Sequence, residues 1–200
     1  MADKLAADAA GIARAAQLLR DGELVAFPTD TVYGIGCRTG DEAALSRIYA
    51  AKRRDPEKAV PWLIGSLAAV GSGFRADDRL TRLAERFWPG AVTLVLPASD
   101  GSATQAFRVP AHDVALALLA ATGPLAVTSA NRSGEPETLD ADDVSIAFAD
   151  SDEPSAILDG GRVPGGVASS VVDLSGPVAR LLREGAVSRA EIEALIGPID

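Results

Sequence analysis

The chain has 200 residues, 48% hydrophobic and 24% charged, the balance of a folded globular protein and not of a disordered one. Its 19 Lys and Arg against 28 Asp and Glu leave a formal net charge of -9, which disfavours bulk nucleic-acid binding, because such binding rests on basic groups neutralising phosphates. A single cysteine, Cys37, excludes an internal disulfide and a cysteine metal cluster, and no apolar run approaches the roughly 20 residues that cross a bilayer.

In chain order, residues 3–20 place Leu5, Ala9, Ile12, Ala16 and Leu19 at helical spacing and stop at Asp21-Gly22, which predicts one amphipathic helix from Asp3 to Arg20. Glu23 to Phe27 is a short apolar strand ended by Pro28, and Thr39 with Glu42 reads as a capping box opening a helix through Ala51. Strand-like runs follow at Val60 to Ile64, Ala91 to Leu96, Phe107 to Val109, Leu125 to Thr128, Ala156 to Leu158, Val171 to Leu174 and Val178 to Leu182. Helical patterns intervene at Asp78 to Phe87, Asp113 to Ala121 and Asp142 to Phe148, and Ser188 with Glu191 caps a final helix to Ile196. This alternation predicts an α/β fold on a mixed sheet, with antiparallel pairs wherever strands follow one another without a helix between. Residues 1–200 are read as a single domain, since the length suits one sizeable core. Asp3, Lys4 and Asp8 among the first alanines do not make a secretory signal, so the expected location is cytoplasmic.

Six places along the chain carry chemistry. Pro28 to Gly36 (Pro-Thr-Asp-Thr-Val-Tyr-Gly-Ile-Gly) follows a buried strand and joins hydroxyls, one carboxylate and two glycines in a loop suited to a ligand, or equally to a polar turn that bonds its own backbone. Lys52-Arg53-Arg54-Asp55-Pro56-Glu57-Lys58 sets four cations at a helix end, as a solvated terminus often does, but Pro56 leads into the next strand and so holds Lys52, Arg54 and Lys58 near a strand end where phosphates bind. Thr128-Ser129-Ala130-Asn131-Arg132-Ser133-Gly134 begins where a strand stops and supplies donors for phosphate or base edges, or is an ordinary hydroxyl-rich turn. Arg108 lies inside a strand; it faces solvent, or it faces a cleft and then needs an anion, for which a small-molecule carboxylate is suited. Arg183 poses the same question at the end of the last strand, and Ser169-Ser170 form a hydroxyl pair after Gly165-Gly166.

Absences narrow the chemistry. His112 is the only histidine and no nucleophile elbow adjoins it, so a serine-hydrolase triad is not expected; it reads as a surface residue near a helix start. There is neither a Walker A sequence nor a dinucleotide fingerprint, and Cys37 reads as a small core residue.

Taken together, these segments resemble the YrdC-like family of threonylcarbamoyl-adenylate synthases, in the short form without an additional C-terminal domain. The resemblance spans about Gly22 to Gly185 and rests on the Pro28 to Gly36 loop, Lys52-x-Arg54, Phe87-Trp88-Pro89-Gly90 before the Thr93 strand, Arg108-Val109-Pro110, Thr128 to Gly134, Asp159-Gly160-Gly161 and Arg183-Glu184-Gly185. Two departures occur: Ser169-Ser170-Val171 stands where the family has Ser-Thr-Val, and Lys58-Ala59-Val60 where it has Lys-Pro-Leu. Trp62 is bulkier than the family pattern and is expected to narrow the pocket.

The resemblance implies a twisted mixed sheet with flanking helices and a concave basic cleft. It implies an ATP-dependent nucleotidyltransferase that condenses L-threonine, bicarbonate and ATP to threonylcarbamoyl-AMP and pyrophosphate, for tRNA modification beside the anticodon. Lys52 and Arg54 are then the expected catalytic cations. Thr29, Arg108 and Ser169 fall to threonine, and Lys52, Arg54, Lys58, Ser129, Asn131 and Arg183 to ATP, with Tyr33 and Thr128 as further members. Mg2+ is expected with ATP, with no protein side-chain ligand identified. Expected partners are the proteins that transfer threonylcarbamoyl to tRNA, with direct tRNA binding weak or absent and no membrane association. Two other readings are a non-catalytic RNA-binding module and a carbamoyl-transfer module like that of hydrogenase maturation proteins.

Overall fold

The computed structural model describes residues 2–200. Its elements in chain order are β1 (Asp3–Ala6), α1 (Ala9–Arg20), β2 (Val25–Pro28), β3 (Tyr33–Arg38), α2 (Glu42–Lys52), β4 (Trp62–Leu63), a 3-10 turn (Leu67–Val70), α3 (Asp78–Phe87), β5 (Val92–Pro97), β6 (Thr104–Arg108), α4 (Asp113–Thr122), β7 (Leu125–Ser129), α5 (Ala141–Ala147), β8 (Ala156–Asp159), β9 (Ser170–Asp173), β10 (Arg180–Arg183) and α6 (Arg189–Ile196). The strands form one sheet in the order β1-β8-β2-β3-β7-β4-β6-β5-β9-β10. It is mixed, as the sequence predicts: β1/β8, β2/β8, β4/β6 and β5/β9 are parallel, whereas β2/β3, β3/β7, β4/β7, β5/β6 and β9/β10 are antiparallel. No helix among the described residues is long and apolar enough to cross a membrane.

Side chains alternate across each strand, and the two faces of the sheet are covered unequally. On one face, Ala44, Ile48 and Ala51 of α2 and Val144 of α5 pack with Tyr33, Ile35 and Cys37 of β3. Leu80, Leu83 and Phe87 of α3 and Ile192 of α6 pack with Leu94 of β5 and Phe107 of β6. On the other face, α1 and α4 bring Ala15, Ala16, Leu19, Ala115, Leu118 and Leu119 against Val25, Phe27 and Leu125. Those two helices cover β8 and β2 and parts of β3, β7 and β4 on their face, and leave the rest, out to β10, open.

Three expectations are corrected. Asp3 to Ala6 is not the first turn of a helix but a strand, registered from Asp3 on Ala156 to Ala6 on Asp159. The helix starts after Asp8, whose side chain accepts from Gly11 N at 2.9 Å. The pairing overrides helical spacing because its partner strand lies far along the chain, where no local pattern reports it. Thr39 and Glu42 form no capping box: Asp41 caps α2 by accepting from Ala44 N at 2.9 Å, while Thr39 Oγ1 donates to Pro124 O. Tyr33 to Gly36, read as loop, is the start of β3, with β2 and β7 bonded on either side. Gly34 and Gly36 hide its alternation, since both glycines fall on one face. The box of Ser188 and Glu191 at α6 forms as predicted.

Candidate functional site

The open part of the sheet is the floor of a cavity of about 350 Å³, within the range of small-molecule sites. Seven neighbouring strands supply its lining: Gly34 from β3, Val127 and Thr128 from β7, Leu63 from β4, Ala106 and Arg108 from β6, Thr93 and Val95 from β5, Val171 from β9, and Leu182 and Arg183 from β10. Intervening residues such as Trp62, Leu94, Phe107 and Val172 point to the helix-covered face. Gly34 keeps the floor open because a Cβ there meets Val127 Cγ1 at 2.7 Å. Thr29, Thr31, Arg54, Ser129, Glu137 and Ser169 complete the polar rim.

Arg108 is turned into the cavity wall and is 7% exposed. Its Nε donates to Gly90 O at 2.9 Å, its Nη1 to Thr31 Oγ1 at 3.0 Å and its Nη2 to Asp30 Oδ1 at 2.6 Å. An internal carboxylate therefore answers the guanidinium's need for an anion, and two of its five N–H groups are left for a ligand. Burial lowers the Arg108 pKa, and Asp30 opposes that shift. Asp30 also accepts from Ala111 N at 3.0 Å, and Thr29 Oγ1 donates to Val32 O at 2.7 Å, so the loop after β2 bonds its own backbone while presenting Thr29 and Thr31 to the cavity. On the opposite wall, the Ser169 and Thr93 hydroxyls bond at 2.8 Å, and Arg183 donates to Ser169 O at 3.0 Å and Ser169 Oγ at 3.3 Å.

Lys52 is 2% exposed at the end of α2. Its Nζ donates to Ser129 O at 2.5 Å, to Asn131 O, and to Asn131 Oδ1 at 3.4 Å. Burial, then the charge of Arg54, pushes its pKa down to about 8. Asn131 Oδ1 in turn accepts from Ser129 Oγ at 2.6 Å, and Asn131 Nδ2 donates to Glu135 O at 2.7 Å. Lys52 and Asn131 thus form the second layer that shapes the loop after β7, and Ser129 is the member of the trio that lines the cavity. Arg54 bonds Ala59 O at 3.1 Å and faces the cavity from the other side of the rim.

The Sua5_yciO_yrdC family model, described as telomere recombination, matches residues 17–185. The chain belongs to the Sua5–YciO–YrdC family. Within it, the threonylcarbamoyl-AMP synthase of Bacillus subtilis is 39% identical over 98% of this chain and 60% of that protein. The synonymous protein of Alkalilimnicola ehrlichii is 37% identical over 92% of this chain and 94% of its own. The crystal structure of Pyrococcus abyssi Sua5 complexed with L-threonine superposes with a TM-score of 0.90 at 37% identity, covering 100% of this chain and 62% of that one. The chain therefore spans about three fifths of the Bacillus subtilis and Pyrococcus abyssi proteins, which are longer than it is.

Of the residues that the family resemblance singled out, Thr29, Arg54, Arg108, Thr128, Ser129, Ser169 and Arg183 meet in one hollow. Lys58 is exposed outside it, and its carbonyl, not its ammonium, is tied in by Tyr49 Oη at 3.1 Å. Tyr33 lies on the helix-covered face, where its hydroxyl donates to Gly161 O at 2.8 Å and accepts from Gly160 N at 3.2 Å, fastening that glycine loop. Trp62 does not narrow the pocket: strand alternation turns it away, edge-on to Phe107 at 5.7 Å. Ser170 spends its hydroxyl on Gly185 N and Val187 N, fixing the turn after β10. Cys37 is buried with its thiol pushed up to about 12, mainly by burial, and His112 is half-buried at the start of α4, outside the cavity lining. The residue assignments left out Thr31, which stands inside the Pro28 to Gly36 motif, and Thr93, which follows the Phe87 to Gly90 motif, and they missed Glu137, which nothing local marks.

Proposed function

We propose that this chain is an L-threonylcarbamoyladenylate synthase. The observation that carries the reading is the convergence, on one hollow of small-molecule size, of three arginines and six hydroxyl side chains from separate segments, with neither a thiolate nor a histidine among them. That lining suits a reaction that needs positioning and charge neutralisation more than covalent chemistry. The family's threonine-bound relative supports an amino-acid subsite.

In this reading, the free N–H groups of Arg108 take the threonine carboxylate as a planar pair, with Thr29 and Ser169 beside it. Bicarbonate gives carbon dioxide and hydroxide; the threonine amine attacks the carbon dioxide and its proton goes to the hydroxide as water, leaving the carbamate. A carbamate oxygen then forms a bond to the α-phosphorus of ATP as the bond to the β-phosphate oxygen breaks and pyrophosphate leaves. Arg54, Arg183 and Ser129 hold the phosphates, and Lys52 and Asn131 act through Ser129 by fixing its loop. Mg2+ entering with ATP supplies further neutralisation of the triphosphate. The product passes to the proteins that transfer threonylcarbamoyl to tRNA in the cytoplasm; a net charge of -9 leaves little affinity for tRNA itself.

Pyrophosphate release from ATP tests the reading, with threonine and bicarbonate omitted in turn. Dependence on both is expected; release that ignores either one refutes it.

A further inference from the structure

Glu137 belongs to the loop between β7 and α5, on the wall between the cavity and a neighbouring hollow that holds Arg53 and Arg132, and is the one acidic residue in the cavity lining, which it shares with Arg54, Ser129 and Arg183. Its Oε2 is buried without a hydrogen-bond partner among the described residues. The nearby cations do not satisfy it: Lys52 is turned to the carbonyls of Ser129 and Asn131, and Arg183 to Ser169. Both nevertheless feel its charge, which acts to raise their pKa values against the effect of burial. The backbone that carries Glu137 is pinned on both sides, since Asn131 Nδ2 donates to Glu135 O at 2.7 Å and Tyr33 N to Thr138 O at 2.9 Å.

A carboxylate on a pinned stretch of backbone, among groups assigned to phosphates, is a contradiction on its own. Like charges brought together in a partly dehydrated hollow repel strongly. A divalent cation between them reverses the sign. Mg2+ is commonly held by one or two carboxylates plus substrate phosphates and water, without a dedicated protein cage. The described residues offer no cluster of three or more His, Cys, Asp or Glu for a metal, so a single carboxylate completed by nucleotide is the arrangement this lining allows. An orphaned, buried oxygen is a donor that fits such a hard cation.

We propose that Glu137 is the protein ligand of the divalent cation that accompanies the nucleotide, binding it only together with the triphosphate. The inference rests on the reading of the cavity as an ATP site. It makes Glu137 a selector of the metal-bound nucleotide: free ATP meets repulsion there, and MgATP attraction.

The test is calorimetric titration of ATP, without threonine, into the wild-type chain and Glu137→Gln, each in excess Mg2+ and in EDTA. Mg2+ is expected to tighten binding to the wild type, and that gain to shrink about 10-fold in the variant, within the usual range of coupling between two ligands. In EDTA the variant is expected to bind ATP more tightly than the wild type, because the repelling charge is gone. Equal Mg2+ gains in the two proteins overturn the proposal. So does a variant that keeps the metal dependence but, in a separate titration with L-threonine, loses affinity for it, which places the carboxylate on the amine instead. A wild type that binds no ATP in either buffer sinks the synthase reading along with it, whereas a wild type that binds MgATP with no difference from the variant sinks this inference alone. Thermal melting checks the fold, and Glu137→Asp, which keeps the charge on a shorter arm, is expected to show an intermediate Mg2+ gain.

Discussion

Removing Asp30 tests how the cavity is held together. The Asp30–Arg108 contact is 2.6 Å, with side chains 15% and 8% exposed, so neither charge is well hydrated. Asp30→Ala leaves a buried guanidinium without its anion, a change that costs roughly 3–5 kcal/mol when one partner of a buried pair is lost. Ala111 N–H also loses its acceptor, adding about 1 kcal/mol. A total near 5 kcal/mol, at about 2–4 °C per kcal/mol for a chain of this size, predicts a melting temperature lower by roughly 10–20 °C. Arg108→Met strands Asp30 and is expected to cost a similar amount, whereas the double variant removes both charges and recovers most of the loss. The assay is urea denaturation of all four proteins as a double-mutant cycle, with a coupling energy of about 3 kcal/mol expected. Losses that add within about 0.5 kcal/mol refute the pair as a coupled element. Should Arg108 also take the ligand carboxylate, L-threonine will raise the melting temperature of Asp30→Ala by more than that of the wild type, since the ligand replaces the missing anion.

Lys52 predicts opposite pH trends for stability and ligand binding. Its pKa in the fold, about 8, lies below the ordinary 10.5, so the unfolded chain holds the proton more firmly between those values and this group's contribution to stability rises with pH across that window, its penalty being full below about pH 8. Nucleotide affinity is expected to fall over the same window, because the neutral amine is a weaker donor to the Ser129–Asn131 loop. Cys37 and Tyr33, both raised to about 12 mainly by burial, lower stability above their ordinary values of 9.0 and 10.0, so the readout is the difference between wild type and Lys52→Met, in which those two cancel. A difference that does not vary from pH 7 to 10.5 refutes the account. Gly165→Ala places a Cβ 1.7 Å from Thr31 O, a backbone atom with no freedom to yield, and is expected to cost about 1–3 kcal/mol in denaturation and to weaken threonine binding by shifting Ser169. Gly73→Ala, with nothing within 4 Å, is the control and is expected to stay within about 0.5 kcal/mol of wild type.

Wherever the determining signal was local, the sequence sufficed. The 3.6-residue period of α3, the capping box of Ser188 and Glu191, the Asp21-Gly22 stop and the apolar runs of β5 and β7 depend on residues within a few positions of one another, and each element appears where that pattern places it. The motif loops, too, were legible as ligand-facing segments, because hydroxyls, glycines and cations following strands are a local pattern.

Tertiary structure decided what depends on a distant partner. Asp3 to Ala6 is compatible with a helix and becomes a strand because β8 offers it hydrogen bonds; Tyr33 to Arg38 becomes a central strand despite two glycines because β2 and β7 flank it. A sheet also has two equivalent faces until helices cover one, and only the placement of α1 and α4 leaves Arg108, Thr93 and Arg183 facing a hollow while Trp62 and Tyr33 face the core. The same placement puts Lys52 behind Ser129 and leaves Glu137 unpaired beside the arginines. Residue type and spacing fix which groups a strand or loop can offer, but the direction they face is a property of the assembled layers, because it is set by burial against elements remote in the chain.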